Sequence, residues 1–237
     1  MLKIHKVRKE ELVPGVEPPA RLVTSMRDGV SKRSDVFIAD RYLKPLERDF
    51  CEDLLLDTSD ALRWLDSINQ RLSPDRKKSS KSFTFDFKSL YDSLQPALVL
   101  EAIKYAMDSC RPDWSDDFKQ WILRLIEFSL KASVAKYDGN WWRQNNGIPT
   151  GGSLCVQLAN ITVFYVMQKE VYSDPELMTY ITELKRFIDD GAGFSLGPEL
   201  EFQNWLSLVN QKIGAYGLHI DESNIKPNSV FVNFLDM

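Results

Sequence analysis

Three aspartates, Asp86, Asp189 and Asp190, are the residues of this 237-residue chain whose types and spacing best suit chemistry. Asp86 lies in the run 82–87, where Phe83, Phe85 and Phe87 alternate with Ser82, Thr84 and Asp86. That is the period of a half-buried strand, with Asp86 on its polar side. Asp189 and Asp190 precede Gly191 between two short strand-like runs, 185–188 and 192–196, so the pair is expected at the tip of a hairpin. Between these two places lies the glycine-rich stretch 147–152. Asp-Asp-Gly alone describes an ordinary turn, because Asp and Gly dominate turns for conformational reasons. The combination carries more, since about 35 to 60 residues separate successive features, enough for helices to return the chain. Three carboxylates gathered in one place repel one another severely unless a cation joins them. Carboxylate and water oxygens suit magnesium, which is held by one or two carboxylates plus substrate phosphates. A pair of such ions can stabilise the attacking and leaving oxygens of an in-line displacement.

The elements that must position these groups follow from periodicity and punctuation. A Pro- and Gly-rich loop, 14–19, precedes an alternating strand at 21–24. A helix is predicted over 41–56. Asp57, Thr58 and Ser59 offer N-cap chemistry for a second, 60–72, with Leu62, Leu65, Ile68 and Leu72 on one face. The charged segment 73–80 has no apolar period and marks a subdomain boundary. After the Asp86 strand come helices at 96–109 and 116–132, then a hairpin at 134–143 turning at Asp138-Gly139. A helix over 153–169 follows the glycine-rich loop, with Ser153 as its cap. An apolar strand at 230–235 ends the pattern.

Composition sets the outer bounds. A 43% hydrophobic content supports one large core or two joined ones. No apolar run is long enough to span a membrane, and Lys3, Lys6, Arg8 and Lys9 are followed by Glu10 and Glu11 rather than by a signal segment, so an intracellular protein is expected. Cys51, Cys110 and Cys155 are scattered and, with His5 and His219, make no zinc site. The net charge of -4 argues against a lysine-coated nucleic-acid binder. Its distribution is uneven: residues 1–88 carry 18 Lys and Arg against 15 Asp and Glu, and the remainder carry 12 against 19. The basic cluster Arg76, Lys77, Lys78 and Lys81 is either a phosphate contact, a nuclear address or a solvated loop.

Taken in order, three stretches carry a family resemblance: Phe85-Asp86-Phe87-Lys88-Ser89-Leu90-Tyr91; then Gly147-Ile148-Pro149-Thr150-Gly151-Gly152-Ser153-Leu154 with Leu158-Ala159-Asn160-Ile161; then Phe187-Ile188-Asp189-Asp190. The set resembles the polymerase motifs of reverse transcriptases. Within that family it is most similar to the Penelope-like retroelements, through Lys3-Ile4-His5-Lys6, Arg21-Leu22-Val23-Thr24-Ser25, Tyr42-Leu43-Lys44-Pro45-Leu46, Gln144-Asn145-Asn146-Gly147 and Phe234-Leu235-Asp236. The likeness spans nearly the whole chain.

The resemblance implies an α+β right-hand polymerase with fingers over 1–80 and a palm over 81–237, the palm an antiparallel sheet backed by helices. It implies that Asp86 and Asp189 are the principal ligands of two magnesium ions, replaceable by manganese, with Asp190 supporting. Arg21 then contacts the incoming triphosphate, as a planar guanidinium can in bidentate fashion, and Lys6 assists. Gly147, Gly151 and Gly152 let backbone approach the nascent base pair. Tyr91 matches the steric gate that excludes a ribonucleotide 2'-hydroxyl, so dNTPs, an RNA template and a DNA primer are the expected partners, with a nuclear location if the source is a eukaryotic retroelement. Two positions depart from the pattern: Leu2 stands where Pro is usual, and Thr150 where many reverse transcriptases carry Gln, which weakens any contact to the nucleotide sugar. No thumb is visible, so the chain reads as a fragment or a minimal form, its thumb or endonuclease domain lying elsewhere. An RNA-dependent RNA polymerase stays open because Asp92 sits next to Tyr91, and so does a non-catalytic nucleic-acid-binding relative.

Overall fold

A computed structural model describes residues 31–71, 80–137, 140–196 and 199–221. Lys6, Arg21, the strand at 21–24, the basic residues 76–78, the turn at 138–139 and the strand at 230–235 lie outside them.

The sheet that carries the aspartates has three antiparallel strands in the order β1-β5-β4: β1 Ser80–Asp86, β4 Ile181–Phe187 and β5 Asp190–Leu196. One face of β1 presents Phe83, Phe85 and Phe87, all nearly inaccessible, to the main core. Phe83 packs on Phe202 and Trp205 of the last helix, α9, Glu199–Gly214 (ring centroids 4.6 and 5.9 Å). The same core takes in α5, Pro96–Cys110, α6, Asp116–Lys131, and α7, Cys155–Met167. All of α7 except Val156 is buried, polar Gln157, Asn160 and Thr162 included, as expected of a predominantly apolar helix enclosed by the core. The α5 and α6 positions match the sequence expectation, and Ser115 caps α6 by accepting from Phe118 N–H. Strands β2, Val134–Tyr137, and β3, Asn140–Arg143, form the expected separate hairpin.

Three local expectations fail for identifiable reasons. The first helix starts at Lys32, not at residue 41, and runs as α1, Lys32–Ile38, a π-helical stretch Ala39–Leu43, and α2, Lys44–Phe50. The π stretch lies directly before Pro45, which has no N–H for the regular ladder and whose ring crowds the carbonyl four residues back. The helix also stops at Phe50 rather than 56, because Asp53 to Leu55 is recruited alongside β4: Arg186 N–H donates to the Asp53 carbonyl (2.8 Å) and Leu55 N–H to the Arg186 carbonyl (2.7 Å).

In α3, Thr58–Arg71, the buried stripe is Ala61, Trp64 and Ile68, while Leu62 and Leu65 are exposed. The indole wins because it reaches across the polar face of the sheet, tilted on Phe194 (5.8 Å), with Nε1 donating to Glu183 (3.4 Å). Asp57 supplies the cap, its Oδ1 accepting from Asp60 N–H. Finally, α7 begins two residues after Ser153; Leu154 precedes it with no side-chain cap, and Cys155 N–H bonds the Gly152 carbonyl (3.1 Å). The short α4, Leu90–Ser93, follows β1, and a second π-helical stretch, Gln168–Tyr172, joins α7 to α8, Pro175–Thr179. No helix among the described residues is long and apolar enough to cross a membrane.

Candidate active site

The register of β1 against β5 decides where the carboxylates go. Asp86 pairs with Asp190 directly across the strands, so both side chains leave the same face. Asp189 sits in the two-residue turn between β4 and β5, and its carbonyl accepts from Phe87 N–H (3.1 Å). The three aspartates therefore share one end of the sheet. The turn is one residue earlier than Asp-Asp-Gly alone indicates: Ile188 and Asp189 make it, while Asp190 and Gly191 already belong to β5. Asp86 and Asp189 are half-buried and Asp190 is exposed. On the far side of β1, Lys88 N–H donates to the His219 carbonyl and Asp221 N–H to the Asp86 carbonyl (both 2.8 Å), so the chain after α9 braces the Asp86 backbone.

Like charges directly opposite on a sheet destabilise it by themselves. The arrangement becomes favourable when a hard cation lies between them. Among the described residues no three His, Cys, Asp or Glu side chains already stand as a metal-binding group. Magnesium does not require one, because it keeps waters and completes its shell with substrate phosphates, and its oxygen preference matches an all-carboxylate donor set. A closed structural zinc site, with four nitrogen or sulfur ligands, does not fit these residues.

Tyr91 and the glycine-rich loop meet just after β1. Ser89 holds a left-handed backbone (φ 50°) that swings the chain from β1 into α4, on which Tyr91 sits half-buried. Burial pushes the Tyr91 phenol up to about 12, and the negative charge of Asp189 acts in the same direction. Ile148 N–H donates to the Tyr91 carbonyl (2.8 Å). Gly147, at φ 73°, lies so close that a Cβ there would stand 2.6 Å from the Tyr91 carbonyl oxygen and 2.7 Å from Asp92 Cα. The glycine at 147 thus serves the docking of the loop on α4, while Gly151 is exposed and Gly152 half-buried. Thr150 Oγ1 is shielded from solvent and has no hydrogen-bond partner among the described residues.

One group central to this region escaped the sequence reading. Arg186 is fully buried and forks onto Asp53, with Nε to Oδ2 at 2.9 Å and Nη2 to Oδ1 at 3.1 Å. Breaking such a pair by removing one partner costs about 3–5 kcal/mol, because a buried charge is stranded. The signal was present: alternation in β4 puts Arg186 on the same face as buried Leu184. Nearby, Asn160 donates to buried Glu47 (2.6 Å), whose carboxyl is raised by burial against the lowering effect of that amide. A cavity of about 310 Å³ opens there, with Phe187, Ile188, Glu47 and Gln157 among its walls. A larger one, about 550 Å³, lies between α3 and β4, and none of the three aspartates lines it.

The sequence matches no protein-family model and no curated protein sequence. The structure does have solved neighbours. Telomerase from Candida tropicalis, in its apo form, superposes with a TM-score of 0.64 at 13% identity over 86% of this chain and 38% of that one. A form of it truncated from the C-terminal domain gives 0.63 at 15% identity over 84% and 42%. Telomerase from Candida albicans in complex with a fragment of telomeric RNA gives 0.58 at 14% identity over 87% and 35%. The chain spans about two fifths or less of the length of these structures. With its three-stranded antiparallel sheet backed by helices, the chain has an α+β fold related to that of these telomerase structures.

Proposed function

We propose that this chain is the fingers-and-palm part of an RNA-directed DNA polymerase that extends a primer 3'-hydroxyl with dNTPs on an RNA template. The observation that carries the reading is the pairing of Asp86 with Asp190 across β1 and β5, with Asp189 in the adjoining turn; Tyr91 follows Asp86 on α4. In the reaction the primer 3'-oxygen forms a bond to the α-phosphorus, the bond from that phosphorus to the bridging oxygen breaks, pyrophosphate leaves, and the hydroxyl proton passes to solvent. Asp86, Asp189 and Asp190 would hold magnesium, which supplies charge stabilisation for the attacking and leaving oxygens. Tyr91, held by packing and by the Ile148 bond to its carbonyl, limits the space at the nucleotide 2' carbon. Thr150 and Gly151 border the nucleotide, and Gly147 keeps their loop seated. Arg21 and Lys6 complete the triphosphate contacts from the fingers.

The motifs favour a placement among Penelope-like retroelements, with residues 1–80 as fingers, 81–237 as palm and, if the source is a eukaryotic retroelement, a nuclear location. RNA-dependent RNA polymerisation is the second reading, supported by exposed Asp92 next to Tyr91, since a carboxylate there could accept a 2'-hydroxyl.

Single-nucleotide addition on one RNA template, with dNTP and with rNTP, tests both readings. Wild type is expected to prefer dNTP. Tyr91→Ala is expected to lower that preference by about 10- to 100-fold, the range over which a pocket can reject a single added hydroxyl. The half-buried ring makes the stability cost smaller than the about 3–5 kcal/mol of a fully buried aromatic, and the comparison is made at matched folded concentration. An unchanged ratio removes Tyr91 as the gate. A wild type that prefers rNTP moves the RNA polymerase reading to first place, and no addition with either nucleotide points to the non-catalytic relative.

A further inference from the structure

The turn that carries Asp189 is held in an unfavourable conformation. Ile188 has φ 57°, a left-handed backbone in a β-branched residue, and such conformations persist only where the surroundings over-determine them. The surroundings here are specific. Arg186 Nη1 donates to the Ile188 carbonyl at 3.0 Å. Because a peptide unit is planar, fixing that carbonyl fixes the Ile188–Asp189 peptide and with it the Asp189 Cα, leaving only rotation about N–Cα to set the Cα–Cβ direction. The next peptide plane is fixed as well, since the Asp189 carbonyl accepts from Phe87 N–H of the chain that follows Asp86.

The guanidinium is in turn anchored from two other directions, one of them itself braced. Asp53 takes two of its donors, the Asn160 carbonyl on α7 accepts from Nη2 (3.2 Å), and Tyr172 O–H donates to Asp53 Oδ2 (2.8 Å), holding the carboxylate still. The backbone of Arg186 is tied to Asp53 and Leu55 on both sides. A generic core ion pair would need none of the directionality toward Ile188.

We propose that Arg186, oriented by Asp53 and Tyr172, is a positioning residue that latches the Ile188 turn and thereby sets Asp189 against Asp86. The proposal rests on the reading of the three aspartates as the metal-holding carboxylates. It requires the planar fork: a lysine retains the charge facing Asp53 but has a single ammonium and cannot serve Asp53, Asn160 and Ile188 in the same geometry.

The test uses Arg186→Lys in the full chain, with wild-type-like circular dichroism as the criterion of folding. Two readouts are taken. The first is independent of catalysis: exchange of the Phe87 amide, which reports the bond to Asp189, is expected to speed up at least about tenfold, while the amides of Val99 and Val163 in α5 and α7 keep their protection. The second is nucleotide addition, in which the rate at saturating dNTP is expected to fall about 10- to 100-fold and the magnesium requirement to rise, with KM for dNTP little changed, as when a group that orients metal ligands is lost. Unchanged Phe87 exchange in folded Arg186→Lys overturns the latch. Faster exchange with unaltered metal requirement and rate overturns its part in positioning. If wild type itself adds no nucleotide, the polymerase reading fails, and Phe87 exchange still decides the latch. Should Arg186→Lys not fold, Tyr172→Phe removes only the hydroxyl that steadies Asp53 and carries the same readouts, with an expected change of about threefold; no change there overturns the proposal.

Discussion

Replacing Asp189 with Asn is expected to abolish magnesium-dependent primer extension, by at least about 10²–10³-fold, while leaving the protein folded. The substitution keeps shape and removes charge. Asp189 contributes to the fold through its backbone, whose carbonyl accepts from Phe87 N–H, and that bond is untouched by a change at the carboxylate. Its side chain is half-buried at a turn, where removing one of several neighbouring negative charges relieves repulsion. The stability change is therefore expected to lie within about 0.5 kcal/mol. Extension assays over a magnesium series, run beside thermal unfolding, make the comparison. Extension within a few-fold of wild type would remove Asp189 from the metal site, and loss of folding would assign it a structural role.

The second large effect is expected at Gly191, where chemistry is not touched at all. Gly191 stands across from Phe85 and Gly193 across from Phe83, and the two rings lie over β5 where those residues have no side chain. A Cβ on Gly191 would fall inside the Phe85 ring, and one on Gly193 would meet Phe83 Cζ at 2.5 Å and the Glu183 carbonyl oxygen at 2.7 Å. Phe85 cannot swing away easily, because it is buried between Phe83 (6.3 Å, stacked) and Phe87 (5.7 Å, edge-on). Gly191→Ala is expected to cost about 1–3 kcal/mol, the range typical of overpacking. At roughly 2–4 °C per kcal/mol for a domain of this size, the melting temperature falls by up to about 12 °C. Activity falls too, since the strain sits one residue from the pairing of Asp86 with Asp190. Adding Phe85→Leu should restore part of the loss, because the smaller side chain vacates the space. A Gly191→Ala protein as stable as wild type, or one that Phe85→Leu destabilises further, would contradict this account of the strand.

Much of the local structure that carries the three aspartates was legible in the chain before any fold was known, and the reason is locality. Alternation of Phe83, Phe85 and Phe87 with Thr84 and Asp86 specifies a strand with its carboxylate outward. The apolar spacing of α5 and α6 specifies those helices. Asp189 and Asp190 between two strand-like runs specify a hairpin tip to within one residue. Each is a pattern whose period and punctuation lie inside a dozen residues. The order of the three motifs was enough to identify the resemblance to polymerases, and the neighbours in structure agree with it at the level of fold.

What the tertiary structure alone decided is whatever depends on a partner distant in sequence. Both stripes of α3 have helical spacing, and the sheet face bearing Ala192 and Phe194 selected Trp64 over Leu62 and Leu65. The capacity of β4 to pair with Asp53 and Leu55 ended a helix that local propensity would have carried to residue 56. Register placed Asp190, and not its neighbour, opposite Asp86, because a one-residue shift in a strand moves every side chain to the other face. The guanidinium that holds the carbonyl of left-handed Ile188 is 133 residues from the Asp53 carboxylate that orients it. A buried charge acquires its role only when its partner arrives, and no sequence period encodes that arrival.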